Sequence, residues 1–342
     1  MPNLTAFLTA AGWQDAARTP LAGDASTRSY ARLRHPDGRQ AILMQAPPLP
    51  DDSTRRFVAV DEILSNWGLS APRILSGAPD DGLLLLEDLG DAVFAPVIKG
   101  APSLEPLLYG AATDLLAVLH RHTAPASLAH PNAEVLAAMT EPAVTWYAGP
   151  TKVRQKSDES PNAFSALSAA LLPLLQAHAI PARPVLVHRD FHAENLIWLP
   201  NRTGPARTGL LDFQDAFAGH PAYDLASLLD DARRDLGEGI RATVIEHYLT
   251  LTGLPEAPFR AALATLGAQR NLRILGIFSR LSLHFGKPRY IALIPRVWGH
   301  LQANLAHPDL TDLADCVARY LPEPTPDLLQ GLTDRCGTIP TP

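Results

Sequence analysis

The alternation of apolar and polar positions changes character near residue 90. Before it, residues 19–33 ("TPLAGDASTRSYARL") and 39–46 ("RQAILMQA") carry the short β-like runs and polar turn of paired strands. Between 53 and 67, Phe57, Val60, Ile63, Leu64 and Trp67 recur at helical spacing, and Gly68 follows as a stop. "GLLLLEDLG" (82–90) reads as a short buried strand ending in an acidic turn. Beyond it, Leu107, Leu108, Ala111, Leu115, Val118 and Leu119 mark one helix and residues 162–178 another. Short strands at 196–199 and 209–211, joined by the turn "NRTGPARTG" (201–209), interrupt the helices, which then fill most of the remainder. The Pro-rich tail from 322 reads as peripheral. This order predicts an α+β chain with a small β-rich lobe over 1–90 and a larger, mostly helical lobe over 91–342.

Residues 185–199 ("VLVHRDFHAENLIWL") break the pattern, because a polar cluster lies between two runs that both suit buried strands. Either it is a solvated hairpin loop, or the loop is held rigidly for chemistry. Composition narrows the classes. The 342 residues are 46% hydrophobic and 19% charged, ordinary for a globular chain with a sizeable core. A net charge of −6 argues against a general nucleic-acid binder. No run of 18 apolar residues suits a membrane span, and the N-terminus lacks a signal-peptide pattern. Cys316 and Cys336 form neither a metal spacing nor a disulfide framework, which fits a reducing cytoplasm. The expectation is a cytoplasmic monomer with no nucleic-acid or membrane partner.

Asp190 and Asn195 are five apart, and Asp212 closes the next strand in "GLLDFQDA". The pattern is strand, H-x-D-x-x-x-x-N, strand, turn, strand, D-F. Phosphoryl transfer needs this set: a carboxylate facing the attacking hydroxyl, and oxygen ligands for Mg²⁺ bridging the phosphates. The plain alternative is a polar hairpin whose Asp and Asn make turns. The spacing of all three groups favours the chemical reading. "GDASTRSY" adds a turn whose small residues, with Ser26 and Thr27, let backbone N–H groups approach an anion, and Arg28 adds charge.

The motifs "GDASTRSYARL", "LLLLEDLG", "HRDFHAEN", "LLDFQDA" and "GHPAYDLASLL" stand in the order of the aminoglycoside phosphotransferase and choline kinase group, small-molecule relatives of the protein kinases, which the chain resembles over nearly its whole length. The resemblance implies a two-lobed, protein-kinase-like fold using ATP and Mg²⁺. Its smaller lobe would cover the nucleotide, and its larger lobe would carry the catalytic loop, metal site and substrate site. Asp190 would be the catalytic base, and Asn195 and Asp212 metal ligands. Adenine would bind backbone groups near Glu87 and Leu89, and the phosphates would lie by Ser26, Thr27 and Arg28. His188 and Arg189 would brace the loop, His192 would face substrate or pack within the loop, and Asp224 would pin the loop from a helix start. Asp215 reads as a cap or turn residue.

Two departures stand out. The fold normally places a Lys on its third strand, against the phosphates and a helix Glu. Here that position is Met44, which leaves Glu62 without a partner. Either the chain binds nucleotide without catalysis, or another group such as Arg28 neutralises the phosphates. The complete base and metal positions favour activity. "DFQ" replaces the usual D-F-G, so Gln214 suggests a fixed loop.

Together with "GDAS-x-R-x-Y", "M-x-APP" and the stretch "QRNLRILGIFSRLSLHFGKPRYIALIPRV", these departures are similar to the bacterial anomeric kinases of N-acetylmuramic acid and N-acetylglucosamine in cell-wall recycling. In that branch Met is expected at the Lys position. The implied products are a sugar 1-phosphate and ADP. Arg270, Arg273, Arg280, Lys287 and Arg289 give the late stretch a basic face, which is either solvated or holds the lactyl carboxylate. Trp146 and Tyr147, after Glu141, are either core or a stacking platform for the sugar. Another small hydroxyl or amine substrate (an aminoglycoside, choline or a sugar acid) remains an alternative.

Overall fold

The computed structural model describes residues 4–21, 28–47, 53–151 and 163–340. Ser26 and Thr27 therefore lie outside the described residues. The chain forms two compact units, Met1–Leu119 with His188–Ala216 and His120–Val187 with Phe217–Pro342. They are drawn differently from the expected division at residue 90. Residues 91–119 and the polar stretch after Val187 group with the N-terminal strands: Arg32 meets Asp91, Arg202 meets Glu87, and the Ser70 and Ala92 carbonyls accept from the Leu210 and Trp198 N–H groups.

The first unit is built on a five-stranded antiparallel sheet, order β1-β2-β3-β5-β4. Its strands are β1 (Ala17–Leu21), β2 (Ser29–Arg34), β3 (Gln40–Gln45), β4 (Ile74–Ala78) and β5 (Leu83–Glu87). Leu33, Ala41, Leu43 and Leu85 form one cluster with Trp13 and with Leu8 of helix α1 (Leu4–Ala10). Successive side chains alternate across a strand, so Met44 turns to the opposite face, where it is fully buried. Its cross-strand partners are Tyr30 and Leu84. Helix α2 (Ser53–Asn66) buries Ser53, Thr54, Phe57, Val60, Asp61 and Leu64, a stripe at helical spacing. Glu62 is exposed, so the buried acid of this helix is Asp61 and not the residue expected from sequence.

The buried strand expected within 82–90 runs Leu83–Glu87 and gives way to the acidic turn. Asp88 and Asp91 are gripped by Arg32, whose Nε lies 2.6 Å from Asp88 and whose two terminal nitrogens lie 2.8 and 2.7 Å from Asp91. β4 was not legible: its residues are half exposed, and its register slips between Ile74 and Ser76. After it come helices α3 (Phe94–Gly100) and α4 (Glu105–Leu119), then β7 (Leu196–Trp198) and β8 (Thr208–Leu210), which pair with each other.

In the second unit β6 (Val185–Val187) pairs with β9 (Phe217–Gly219). The two apolar runs around the polar stretch therefore do not form a hairpin with each other. Helices α5 (Ala133–Ala138), a π-helical turn at Ala143–Ala148, the single turn α6 (Gly149–Thr151), α7 (Ala163–His178), α8 (Ala222–Leu229) and α9 (Ile240–Thr252) lead to α10 (Glu256–Leu283). α10 is buried on most sides and packs against α7, α8, the π-helical turn and α11 (Ile294–Leu305). α12 (Thr311–Tyr320) and α13 (Pro326–Asp334) follow. The Pro-rich tail thus holds a helix, with Leu332 buried. Among the described residues no helix is long and apolar enough to cross a membrane.

One close approach holds this packing. A Cβ at Gly276 of α10 would collide with the backbone carbonyl of Pro142, which cannot swing aside as a flexible side chain would. Gly276→Ala is expected to cost about 1–3 kcal/mol through overpacking, lowering the melting temperature by several degrees. Thermal denaturation followed by circular dichroism checks this, and an unchanged or raised midpoint would contradict the tight contact.

Candidate active site

Asp190, Asn195 and Asp212 all lie in the first unit. Between β6 and β7 the chain turns on short local bonds: the His192 N–H donates to the Asp190 carbonyl (3.1 Å) and the Asn195 N–H to the His192 carbonyl (2.8 Å). The Asn195 side-chain amide donates from Nδ2 to the Asp190 carbonyl at 2.9 Å. This leaves its Oδ1 directed elsewhere as an acceptor. The Asn195 carbonyl in turn accepts from Leu211 N–H at 2.9 Å, tying this loop to the chain just before Asp212.

Arg189 and Asp212 have φ of 81° and 60°, the only non-glycine residues with positive φ among those described. Such conformations are costly for L-residues and gather at functional sites. Here both fall within the proposed catalytic segments. Asp212 is held by its neighbours: Gln214 Nε2 donates to its Oδ1 at 3.0 Å, and Arg28 NH1 lies 3.6 Å from the same oxygen. Phe213 is fully buried against Phe57 of α2, with ring centroids 4.6 Å apart. Gln214 thus braces the carboxylate of Asp212, and Asp215 faces Arg56 at 3.5 Å.

A magnesium ion suits the donor set. Asp212 offers a half-exposed carboxylate whose Oδ1 is pinned, and Asn195 offers an amide oxygen. Among the described residues no group of three His, Cys, Asp or Glu side chains is gathered for a metal. An ion here would take its remaining ligands from phosphate and water oxygens, as Mg²⁺ commonly does.

The remaining expected residues of this unit are placed as follows. His188 is fully buried, edge-on to Phe191 with centroids 5.6 Å apart, which fits bracing. His192 is also buried, its Nε2 3.4 Å from Asn195 Nδ2, so it packs within the loop. The Glu87 carboxylate is taken by Arg202 (2.9 Å) and Arg73 (3.2 Å), and its N–H by the Arg73 carbonyl. Leu89 differs: its N–H and C=O have no hydrogen-bond partner among the described residues. A peptide edge of that kind can take a heterocycle's donor and acceptor.

The candidates of the second unit are not brought together as one basic face. Arg270 is buried, its NH1 3.4 Å from the Asp230 carbonyl, because the neighbouring helices enclose α10 there. Lys287 and Arg289 lie beyond the end of α10, and the Arg289 guanidinium sits 5.2 Å from the Tyr290 ring. Trp146 is buried, with the Arg280 guanidinium 5.9 Å from its ring, and Glu141 precedes the π-helical turn that carries it. Asp224 is fully buried, 3.5 Å from His120 Nε2, while His120 Nδ1 meets the Tyr248 hydroxyl at 2.7 Å.

Sequence reasoning missed a buried hub at Asp230. Its carboxylate holds Arg241 and accepts from Asn271 (3.1 Å) and Asn304 (2.8 Å). The only sequence signal was a pair of acids closing an apolar helix in "LASLLDD".

Comparison with known proteins places the chain in a family. The profile of the phosphotransferase enzyme family (APH) matches residues 17–263. An N-acetylmuramate/N-acetylglucosamine kinase of Caulobacter vibrioides is 39% identical, covering 94% of this chain and 96% of its own. A protein of the same name from Pseudomonas aeruginosa is 31% identical over 92% of this chain and 93% of its own. Among solved structures, an ADP-bound aminoglycoside phosphotransferase, APH(2'')-Ib, superposes with a TM-score of 0.61 at 17% identity, covering 88% of this chain and 97% of that one. That likeness establishes a kinase-like α+β fold.

Proposed function

The chain belongs to the phosphotransferase enzyme family, and on that premise we propose that it transfers the terminal phosphoryl group of ATP to the anomeric hydroxyl of N-acetylmuramate or N-acetylglucosamine. The products are the sugar 1-phosphate and ADP, which would place the enzyme in cell-wall sugar recycling. One observation carries the reading of the site. The Asn195 side chain holds the Asp190 carbonyl while its own backbone holds the segment leading to Asp212. Base and metal ligands are thereby locked into one frame. The names of the two relatives support the amino-sugar acceptor.

In this mechanism Asp190 accepts the proton of the sugar hydroxyl as its oxygen forms a bond to the γ-phosphorus. The bond from phosphorus to the β-γ bridging oxygen breaks, and its electron pair leaves with ADP. An anomeric hydroxyl is more acidic than an ordinary alcohol, so a carboxylate is an adequate acceptor. The Leu89 peptide receives the adenine edge. Asn195 and Asp212 would hold Mg²⁺, which supplies charge neutralisation at the phosphate oxygens.

The test is a panel of acceptors with Mg·ATP, with ADP release measured and the product examined by ³¹P NMR. Phosphate on the anomeric oxygen of either amino sugar is expected. Phosphate on another hydroxyl would end the anomeric assignment, and turnover only with aminoglycosides or choline would replace the substrate class.

A further inference from the structure

The fold's usual phosphate-binding lysine is absent, and the first 98 residues contain no lysine at all. Any fixed cation on that side must be an arginine. Eight arginines lie there, and Arg28 is the only buried one. The Asp or Glu partners of Arg32, Arg39, Arg55, Arg56 and Arg73 are residues other than Asp212, and Arg18 and Arg34 are exposed on β1 and β2.

Register places Arg28 beside the missing lysine. Met44 pairs across the sheet with Tyr30, and paired residues share a face. Arg28 stands two positions before Tyr30, so it continues the same row, and it hydrogen-bonds the Tyr30 side chain. Its guanidinium then reaches to 3.6 Å from Asp212 Oδ1, with its side chain 7% exposed. Asp212 does not rest on this pair alone, because Gln214 Nε2 donates to the same oxygen at 3.0 Å. A guanidinium presents five donors in a planar fork, enough to keep Asp212 in range while meeting an anion.

We propose that Arg28 supplies, from the start of β2, the positive charge on the nucleotide phosphates that a lysine at position 44 would otherwise supply from β3. This rests on the kinase reading above. It explains how the chain accommodates a fully buried, uncharged Met44 beside a site built for a highly charged nucleotide. The charge has moved one strand across the sheet.

Binding of ATP, ADP and adenosine to the full chain, by calorimetry with Mg²⁺ present, separates a phosphate contact from a structural one. Arg28→Met is expected to weaken ATP and ADP by roughly 10- to 100-fold, the scale of a hydrogen bond to a charged group, with adenosine unchanged. Arg28→Lys, which keeps the charge near Asp212, is expected to lose less than Arg28→Met and serves should the methionine variant fold poorly. Equal losses for adenosine and ATP, or no loss for either variant, would overturn the proposal. Wild-type protein that binds no nucleotide would bring down the kinase reading itself, whereas wild-type binding that survives both substitutions ends only the role of Arg28.

Discussion

Asp190→Asn is expected to lower turnover by about 100- to 10,000-fold, the range for loss of a positioned general base, while nucleotide affinity stays within a few-fold. The substitution is nearly isosteric. The loop is held through the Asp190 carbonyl, which accepts from both His192 N–H and Asn195 Nδ2. Those bonds involve the main chain of residue 190, so changing its side chain leaves the frame intact. The groups assigned to the nucleotide (Arg28, the Leu89 peptide, Asn195 and Asp212) also remain. What disappears is the carboxylate proposed to take a proton from the sugar hydroxyl. Steady-state kinetics with saturating amino sugar, paired with calorimetric ATP binding, separate the two quantities. Turnover within tenfold of wild type would remove Asp190 as the base, and a parallel loss of ATP binding would point to a collapsed loop.

A candidate site could be named from the sequence because the residues proposed for it are close in sequence and distinctive in type. Asp190, Asn195 and Asp212 lie on two short segments whose spacing carries the chemistry. The π-helical turn at Ala143–Ala148 and strand β4 were not legible. One is a local departure from helical spacing within an apolar run, and the other is half exposed with a slipped register. The partner of β6 was hidden, since it is β9 and only tertiary context chooses between apolar runs of three residues, whereas β7 and β8 pair across the turn that the sequence showed. The basic face failed for a related reason. Helical periodicity says which residues share a side of α10 but not how many neighbours enclose it, so Arg270 turned out buried against the Asp230 carbonyl. Arg28 shows the opposite case. Its sequence position suggested charge near an anion, but only the β2–β3 register set Tyr30, two residues on, across from Met44.

Asp61→Asn is expected to make the protein markedly less sensitive to rising pH. Asp61 lies on the buried stripe of α2 with 4% exposure, and its Oδ1 has no hydrogen-bond partner among the described residues. Burial pushes its carboxyl up to about 7, helped by the like charges of Glu62 and Glu87. In the unfolded chain it would titrate near an ordinary Asp value of about 3.9. Between these values the folded protein holds more protons than the unfolded one, so stability falls as pH rises. The contribution is fully present below about pH 4 and is lost through pH 7. A shift of this size corresponds to a few kcal/mol, at most about 4. Asparagine is neutral throughout and escapes that loss. Urea denaturation of both proteins at pH 5, 6.5 and 8 is therefore expected to show the variant gaining on wild type at each step, with most of the gain complete by pH 8. A stability difference that does not change with pH would mean Asp61 is already ionised in the folded state, and a cation would then have to be found for it. A protonated acid, by contrast, leaves no unpaired charge on the buried stripe of α2.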